Sequence, residues 1–184
     1  MRLLEVLTLN ERIKDKEHLL EIIWNALSYF PKEMWEGVNY LGNMEVEHHL
    51  KIRSKEEPQG AFIVDQLMNK IREMRSRLEI RNLLLALTHE PVVMTFYRFE
   101  KTGFKRMVNL VRDYVNKKVG LVSLFEIDEE TGARIAAHGL GHHHGLTHHM
   151  DPIDLMYVRL LDGNSIRENG FCKECRDKLQ TIEA

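Results

Sequence analysis

Six of the ten histidines fall within one stretch, RIAAHGLGHHHGLTHHMDP, at positions 138, 142, 143, 144, 148 and 149. Neutral imidazole is the commonest protein ligand for metals, so this local excess points first to metal chemistry. On a helix, residues four apart stand one turn above each other, so His138 and His142 can face a single ion. Gly145 can end that helix, because glycine enters the left-handed turn without steric cost, and the returning chain then offers His148 as a third ligand. Three imidazoles with a fourth position left open make the arrangement of a catalytic zinc, and the same set accepts nickel or cobalt. Near the other end of the chain, Cys172 and Cys175 form CKEC. This pair reads as a zinc ligand pair or a redox pair; it does not follow the first strand of a thioredoxin-like pattern, which favours metal.

The spacing HGLGHHHGLTH matches the metzincin signature HExxHxxGxxH at every position but one. Within that clan the chain most resembles the archaemetzincins, whose signature continues as HExxHxxGxxxCxxxxCxM and then a CxxC. Aligned without gaps, His149 stands at the first cysteine, Asp154 at the second and Met156 at the methionine of the turn, with fifteen residues between Met156 and Cys172. The resemblance implies a single metzincin-like (zincin) domain over residues 1–184, of α/β class, with a mixed sheet packed by helices. It implies an active-site helix at about 130–144 and a cleft along the sheet's edge strand. It also implies a first zinc on His138, His142 and His148, and a second, structural zinc in the region 149–175 on His149, Asp154, Cys172 and Cys175, two ions per chain. Mixed nitrogen, oxygen and sulfur ligation suits zinc. Met156 would pack beneath the first ion. PQGAF before a long helix, then NLLLALT and GLVSLFE, resemble the family's order of elements.

The exception is position 139, where the family's glutamate is a glycine. That glutamate serves as general base and then general acid, and losing a positioned base costs on the order of 10²–10⁴ in rate. Two functions follow from the resemblance. One is a zinc metallopeptidase, of aminopeptidase type, working with a substitute base. The other is a pseudo-peptidase that holds zinc or peptide and does no chemistry. An extended peptide, added to the sheet edge, is the ligand class in both. Glu90, in THEP, and Glu129 and Glu130, ahead of the helix, are the acids to inspect as substitutes, against the plainer reading of three solvated carboxylates.

Plainer readings also exist for the metal ligands. A His-rich tract can chelate metal without an ordered site, for storage or delivery. Gly145, Met156 and CKEC are not histidines, yet they fall where an ordered site needs them. His143 and His144 point off the ligand face and read as supporting or surface residues. The neighbours His48 and His49 would project to opposite sides of a strand, as surface or satisfied core positions.

The elements that must position these residues are legible to different degrees. Segment 2–8 has the apolar density of a strand, and 16–30 places Leu19, Leu20, Ile23, Leu27 and Phe30 at helical spacing. Residues 44–53 alternate imperfectly, as an edge strand would, before the polar loop SKEEPQG. A helix is predicted over about 61–78, with Ile63, Leu67, Ile71 and Met74 on one face. Segments 82–88 and 92–99 read as strands. Residues 104–117 carry an apolar stripe of Met107, Leu110, Val111 and Val115 that reads as a helix, and 119–127 as a strand. Gly139 and Gly141 each weaken the histidine helix by about 0.5–1 kcal/mol relative to alanine.

Composition sets the remaining bounds. With 26 Lys and Arg against 28 Asp and Glu in 184 residues, there is no charge excess to attract nucleic acid or anionic lipid. No run approaches the ~18 apolar residues of a membrane helix. The opening MRLLEVLTLNERIKDKEH lacks the pattern of a signal peptide, which predicts a cytoplasmic protein.

Overall fold

A computed structural model describes residues 2–12, 16–54, 57–101, 103–162 and 165–181. The strands β1 (Arg2–Leu9), β2 (Trp35–Met44), β5 (Leu84–Thr88), β8 (Asp113–Val115) and β9 (Val119–Ser123) form one five-stranded sheet, in the order β2-β1-β5-β9-β8. All neighbours are parallel except β8, which runs antiparallel to β9 and closes the edge. Alternate residues of these strands supply two cores. Leu4, Val6, Leu85, Leu87 and Val122 face one side, against α1 (Lys16–Leu27) and α3 (Glu129–His143). Leu7, Leu9, Leu84, Ala86 and Leu121 face the other, against α2 (Val64–Arg77). A parallel sheet covered on both faces explains why LLALT is apolar at almost every position: each strand residue is inside, whichever way it points.

A second sheet, in the order β3-β4-β6-β7, is built from β3 (Leu50–Ser54), β4 (Glu57–Ile63), β6 (Val92–Glu100) and β7 (Gly103–Leu110). The chain ends with a 3-10 turn at Leu160–Asp162 and α4 (Lys173–Thr181), which starts at CKEC. The architecture is thus mixed α/β, as the alternation of strands and helices predicts. No helix among the described residues is long and apolar enough to cross a membrane.

Several segments depart from the sequence reading. Residues 104–117 are not a helix but the hairpin strand β7 and, after a short break, β8. Beyond Val92 and Val93, which are buried, the β6–β7 hairpin is largely exposed, with Phe96, Phe99, Phe104, Val108 and Leu110 at the surface. Without a buried face to impose alternation, the apolar residues of β7 fall by chance at spacings of three and four. Residues 44–53 are likewise not one strand: β2 ends at Met44, residues 45–49 are irregular, and β3 begins at Leu50. Residues 57–60 of the predicted polar loop belong to β4, while Lys55 and Glu56 lie outside the described residues.

The helix α3 is fastened at its start by Asp128, whose carboxylate accepts from the Thr131 amide and hydroxyl, each at 2.9 Å. Its glycines let other elements approach closely. A Cβ at Gly141 would stand 2.7 Å from Met156 Sδ, and one at Gly139 would stand 2.7 Å from Val115 Cγ2 and 3.0 Å from Asp113 Oδ2. On helix propensity alone, Gly139→Ala would stabilise by about 1 kcal/mol. Here the methyl meets a β-branched side chain with little freedom to turn aside, and overpacking of this kind costs about 1–3 kcal/mol. Gly139→Ala is therefore expected to lower the midpoint of chemical unfolding, and adding Val115→Ala to recover part of the loss. An unchanged or raised midpoint in the single variant would show that β8 does not press on α3.

Candidate metal centre

The last turn of α3 sets the geometry. Gly145, at φ +81°, reverses the chain, with the Gly145 amide donating to His142 O and the Leu146 amide to Gly141 O, both at 3.0 Å. This pairing closes the helix and leads the chain back past its own end. The result places His148 beside the two helical histidines. The Nε2 atoms of His138 and His142 lie 3.0 Å apart, those of His142 and His148 3.0 Å, and those of His148 and His138 3.2 Å. Three nitrogens held tetrahedrally at ~2.0–2.1 Å from a zinc stand roughly 3.3 Å from one another, so the triangle has nearly the size of a ligand set.

The tautomers follow from the partners. A carbonyl oxygen only accepts, so His138 Nδ1–H donates to Leu155 O at 2.7 Å and His142 Nδ1–H donates to Leu146 O at 3.0 Å. In the neutral rings this leaves both Nε2 atoms as bare lone pairs pointing at each other. Burial pushes the His138 imidazole down to about pKa 4, against the opposing pull of the Leu155 carbonyl, and burial beside His138 lowers His142 as well. A proton is thus poorly accommodated where a cation would be bonded by three nitrogens. His138 is buried and His148 exposed, so the triangle opens to solvent on the His148 side.

His149, Asp154, Cys172 and Cys175 form a second group, their candidate ligand atoms all within 4.8 Å of one another. His149 Nε2 lies 3.2 Å from Cys175 Sγ, 3.6 Å from Cys172 Sγ and 3.7 Å from Asp154 Oδ2. Asp154 is wholly buried and held by the amides of Met156 and Cys172, each at 2.9 Å. Burial, with the Asp154 charge beside it, pushes the Cys175 thiol well above its ordinary range, a bias that a bound cation would reverse. Met156, fully buried, packs on Gly141 between the two groups.

The three glutamates considered as substitutes for a base have other partners. Glu90 accepts from Asn10 at 2.9 Å and pairs with His48 at 2.8 Å; Glu129 pairs with His18 and Glu130 with Arg134, a turn or more from the histidines on α3. His48 and His49 also lie apart from the centre, His49 Nδ1 accepting from the Ile63 amide at 2.9 Å. His143 Nδ1 faces Asn116 O at 3.2 Å, and His144 packs among Phe30 and Trp35.

A carboxylate that packs against the histidine helix is Asp113, the first residue of β8, whose Oδ2 would stand 3.0 Å from a Cβ at Gly139. Its Oδ2 is sealed from solvent without a hydrogen-bond partner, although the residue as a whole is part-exposed. Burial raises its pKa to about 6, with His142 and His148 acting in the opposite direction. Sequence reasoning missed it because 104–117 read as a helix; the sequence signal was the short alternation DYV against GLVSL.

No protein-family profile matches the chain, and no curated protein matches it. Solved structures do. An archaemetzincin from Methanopyrus kandleri superposes with a TM-score of 0.68 at 20% identity, covering 100% of this chain and 96% of that one. A zinc-dependent peptidase from Methanocorpusculum labreanum gives 0.59 at 17% identity, over 95% and 99%. An archaemetzincin from Archaeoglobus fulgidus, complexed with malonate, gives 0.56 at 18%, over 96% and 99%. The chain has the archaemetzincin fold over its whole length.

The shifted groups set an acid response for the metal-free protein. Between pH 6.5 and about 4 the unfolded chain takes up a proton at residue 138 that the folded chain refuses, so this contribution is whole above 6.5 and lost as pH falls through that window. Asp113 acts oppositely: the folded carboxyl keeps its proton up to about 6 while the unfolded one releases it near 3.8. Its contribution is present below 3.8 and lost as pH rises through 6. In melting temperatures measured from pH 7 to 4 on metal-free protein, His138→Gln is expected to flatten the acid decline and Asp113→Asn to steepen it. Parallel curves for all three proteins would contradict this.

Proposed function

We propose that the protein is a zinc-dependent peptidase of the archaemetzincin type, with one ion on His138, His142 and His148. The observation that carries this reading is the convergence of three Nε2 atoms at 3.0–3.2 Å, two of them fixed as bare lone pairs by backbone carbonyls. The donor set suits zinc, which, when bound, would polarise a peptide carbonyl and stabilise the charge that develops on its oxygen. His149, Asp154, Cys172 and Cys175 would hold a second zinc that ties α4 to the turn carrying Met156. The likeness to two archaemetzincins and a zinc-dependent peptidase supports the same reading.

The substrate in this reading is an extended peptide. Among the described residues β8 is the edge strand of its sheet, paired with β9 on one side, and in this reading a peptide adds at its outer side by main-chain hydrogen bonds. A groove of about 1000 Å³ runs beside it, with Leu110, Arg112, Asp113, Ile135, Val158 and Leu161 among its walls. Its walls are mixed, with Arg112, Asp113, Glu126 and Asp128 beside the apolar residues, so it offers a peptide both polar and apolar contacts. A second reading, a zinc-holding pseudo-peptidase, draws on one observation: Gly139 leaves the position beside His138 on the helix without a carboxylate.

Zinc content and cleavage of a peptide library test both. The wild type is expected to carry two zinc ions per chain, His142→Ala one fewer, and Cys175→Ala one fewer from the other group. Cleavage should be lost with His142→Ala. Zinc content indifferent to His142→Ala would remove the proposed centre, and a zinc-loaded wild type that cleaves nothing would leave the pseudo-peptidase.

A further inference from the structure

Position 139 is not simply a vacancy on the helix. The space into which its side chain would grow is already filled from the opposite side, by Asp113 and Val115 of β8. A glutamate there would start with its Cβ 3.0 Å from Asp113 Oδ2 and 2.7 Å from Val115 Cγ2. The two arrangements exclude each other: a carboxylate from the helix, or a carboxylate from the edge strand.

We infer that Asp113 is the general base of this protein, delivered to the centre by β8 in place of a helix glutamate at residue 139. The inference rests on the metallopeptidase reading above and deepens it. Three observations carry it. Oδ2 is buried and lacks a hydrogen-bond partner, the condition of an acceptor kept free for another molecule, since buried carboxylate oxygens are ordinarily satisfied. Oδ2 would stand 3.0 Å from a Cβ at Gly139, so the carboxylate lies against the turn of α3 that carries His138 and His142. It joins neither group of mutually close ligand atoms, so it is not one of the three-histidine ligand set. The residue also borders the groove next to β8.

The step balances without further reactants. As the oxygen of a water molecule bonds to the scissile carbonyl carbon, Oδ2 takes that water's proton. The carboxyl then gives the proton to the amine nitrogen as the carbon–nitrogen bond breaks. One water is consumed, one peptide bond is broken, and Asp113 returns to a carboxylate. The pocket at Gly139 is part of the device, because only a residue without a side chain leaves β8 close enough for an aspartate, one methylene shorter than glutamate, to reach.

The test compares zinc-loaded wild type, Asp113→Asn and His142→Ala for zinc content, peptide cleavage and affinity for acetohydroxamic acid. A hydroxamate gives up its hydroxyl proton on binding a metal, and a carboxylate at hand favours that transfer, so this affinity reads the base without requiring turnover. Asp113→Asn is expected to keep the zinc content of the wild type, to cleave about 100-fold more slowly, and to bind acetohydroxamate at least about tenfold more weakly. An Asp113→Asn protein that cleaves and binds like the wild type overturns the assignment, as does one that loses zinc, since Asp113 would then belong to the metal's own support. Failure of the underlying reading looks different: the wild type itself would lack zinc at the three histidines. A wild type that holds zinc without cleaving leaves the acetohydroxamate comparison to decide, with equal affinities counting against Asp113.

Discussion

Two hydrogen bonds from imidazole Nδ1–H groups to backbone carbonyls, His138 to Leu155 and His142 to Leu146, set the chemistry of this protein. They choose the tautomer, aim both Nε2 lone pairs at one point and leave them mutually repulsive unless a cation lies between. Each carbonyl in turn depends on a longer-range feature. Leu155 is placed by the turn that carries Met156 and is tied down by Asp154, while Leu146 is placed by the helix closure at Gly145. Support of this kind orients metal-ligating histidines and tunes their basicity. The second residue cluster thus acts on the first through the turn between them.

Close approach is the second constraint. The histidine helix carries glycine at 139 and 141, which reads in isolation as a weakness. Each is instead a contact surface: Met156 sits against Gly141, and the edge strand sits against Gly139. What the helix loses in propensity is offset by the packing these approaches allow, and by metal ligation wherever a cation binds. The geometry at Gly139 also recasts the absent glutamate. The helix side chain and the strand carboxylate compete for one volume, so the replacement at 139 and the placement of Asp113 are one structural choice.

Legibility followed burial. The strands of the five-stranded sheet sit between two cores, so 2–8, 82–88 and the start of 119–127 carry apolar density that no other element shows at that length. α1 and α2 each bury one face and were visible by period. The histidine helix came to notice through spacing, with Gly145 where the turn occurs, and the four-residue cluster through the resemblance of 149–175 to the archaemetzincin signature. The hairpin β6–β7 was opaque for the opposite reason. Its side chains are largely exposed, nothing enforces alternation, and a chance stripe at 107, 110, 111 and 115 imitated a helix. That single misreading hid β8, and with it Asp113, because a helical residue 113 would have had no reason to face the histidines. Contacts that depend on pairing in space, such as Tyr114 opposite Leu121, leave little trace in three residues of sequence.

The most direct test of the account is a crystal structure of the zinc-loaded protein with anomalous scattering recorded at the zinc edge. The account predicts a peak bonded to Nε2 of His138, His142 and His148 at about 2.0–2.1 Å, with the Asp113 carboxylate unbonded and facing the open position. No peak among these three nitrogens, or an ion held instead by His143 and His144, would contradict it.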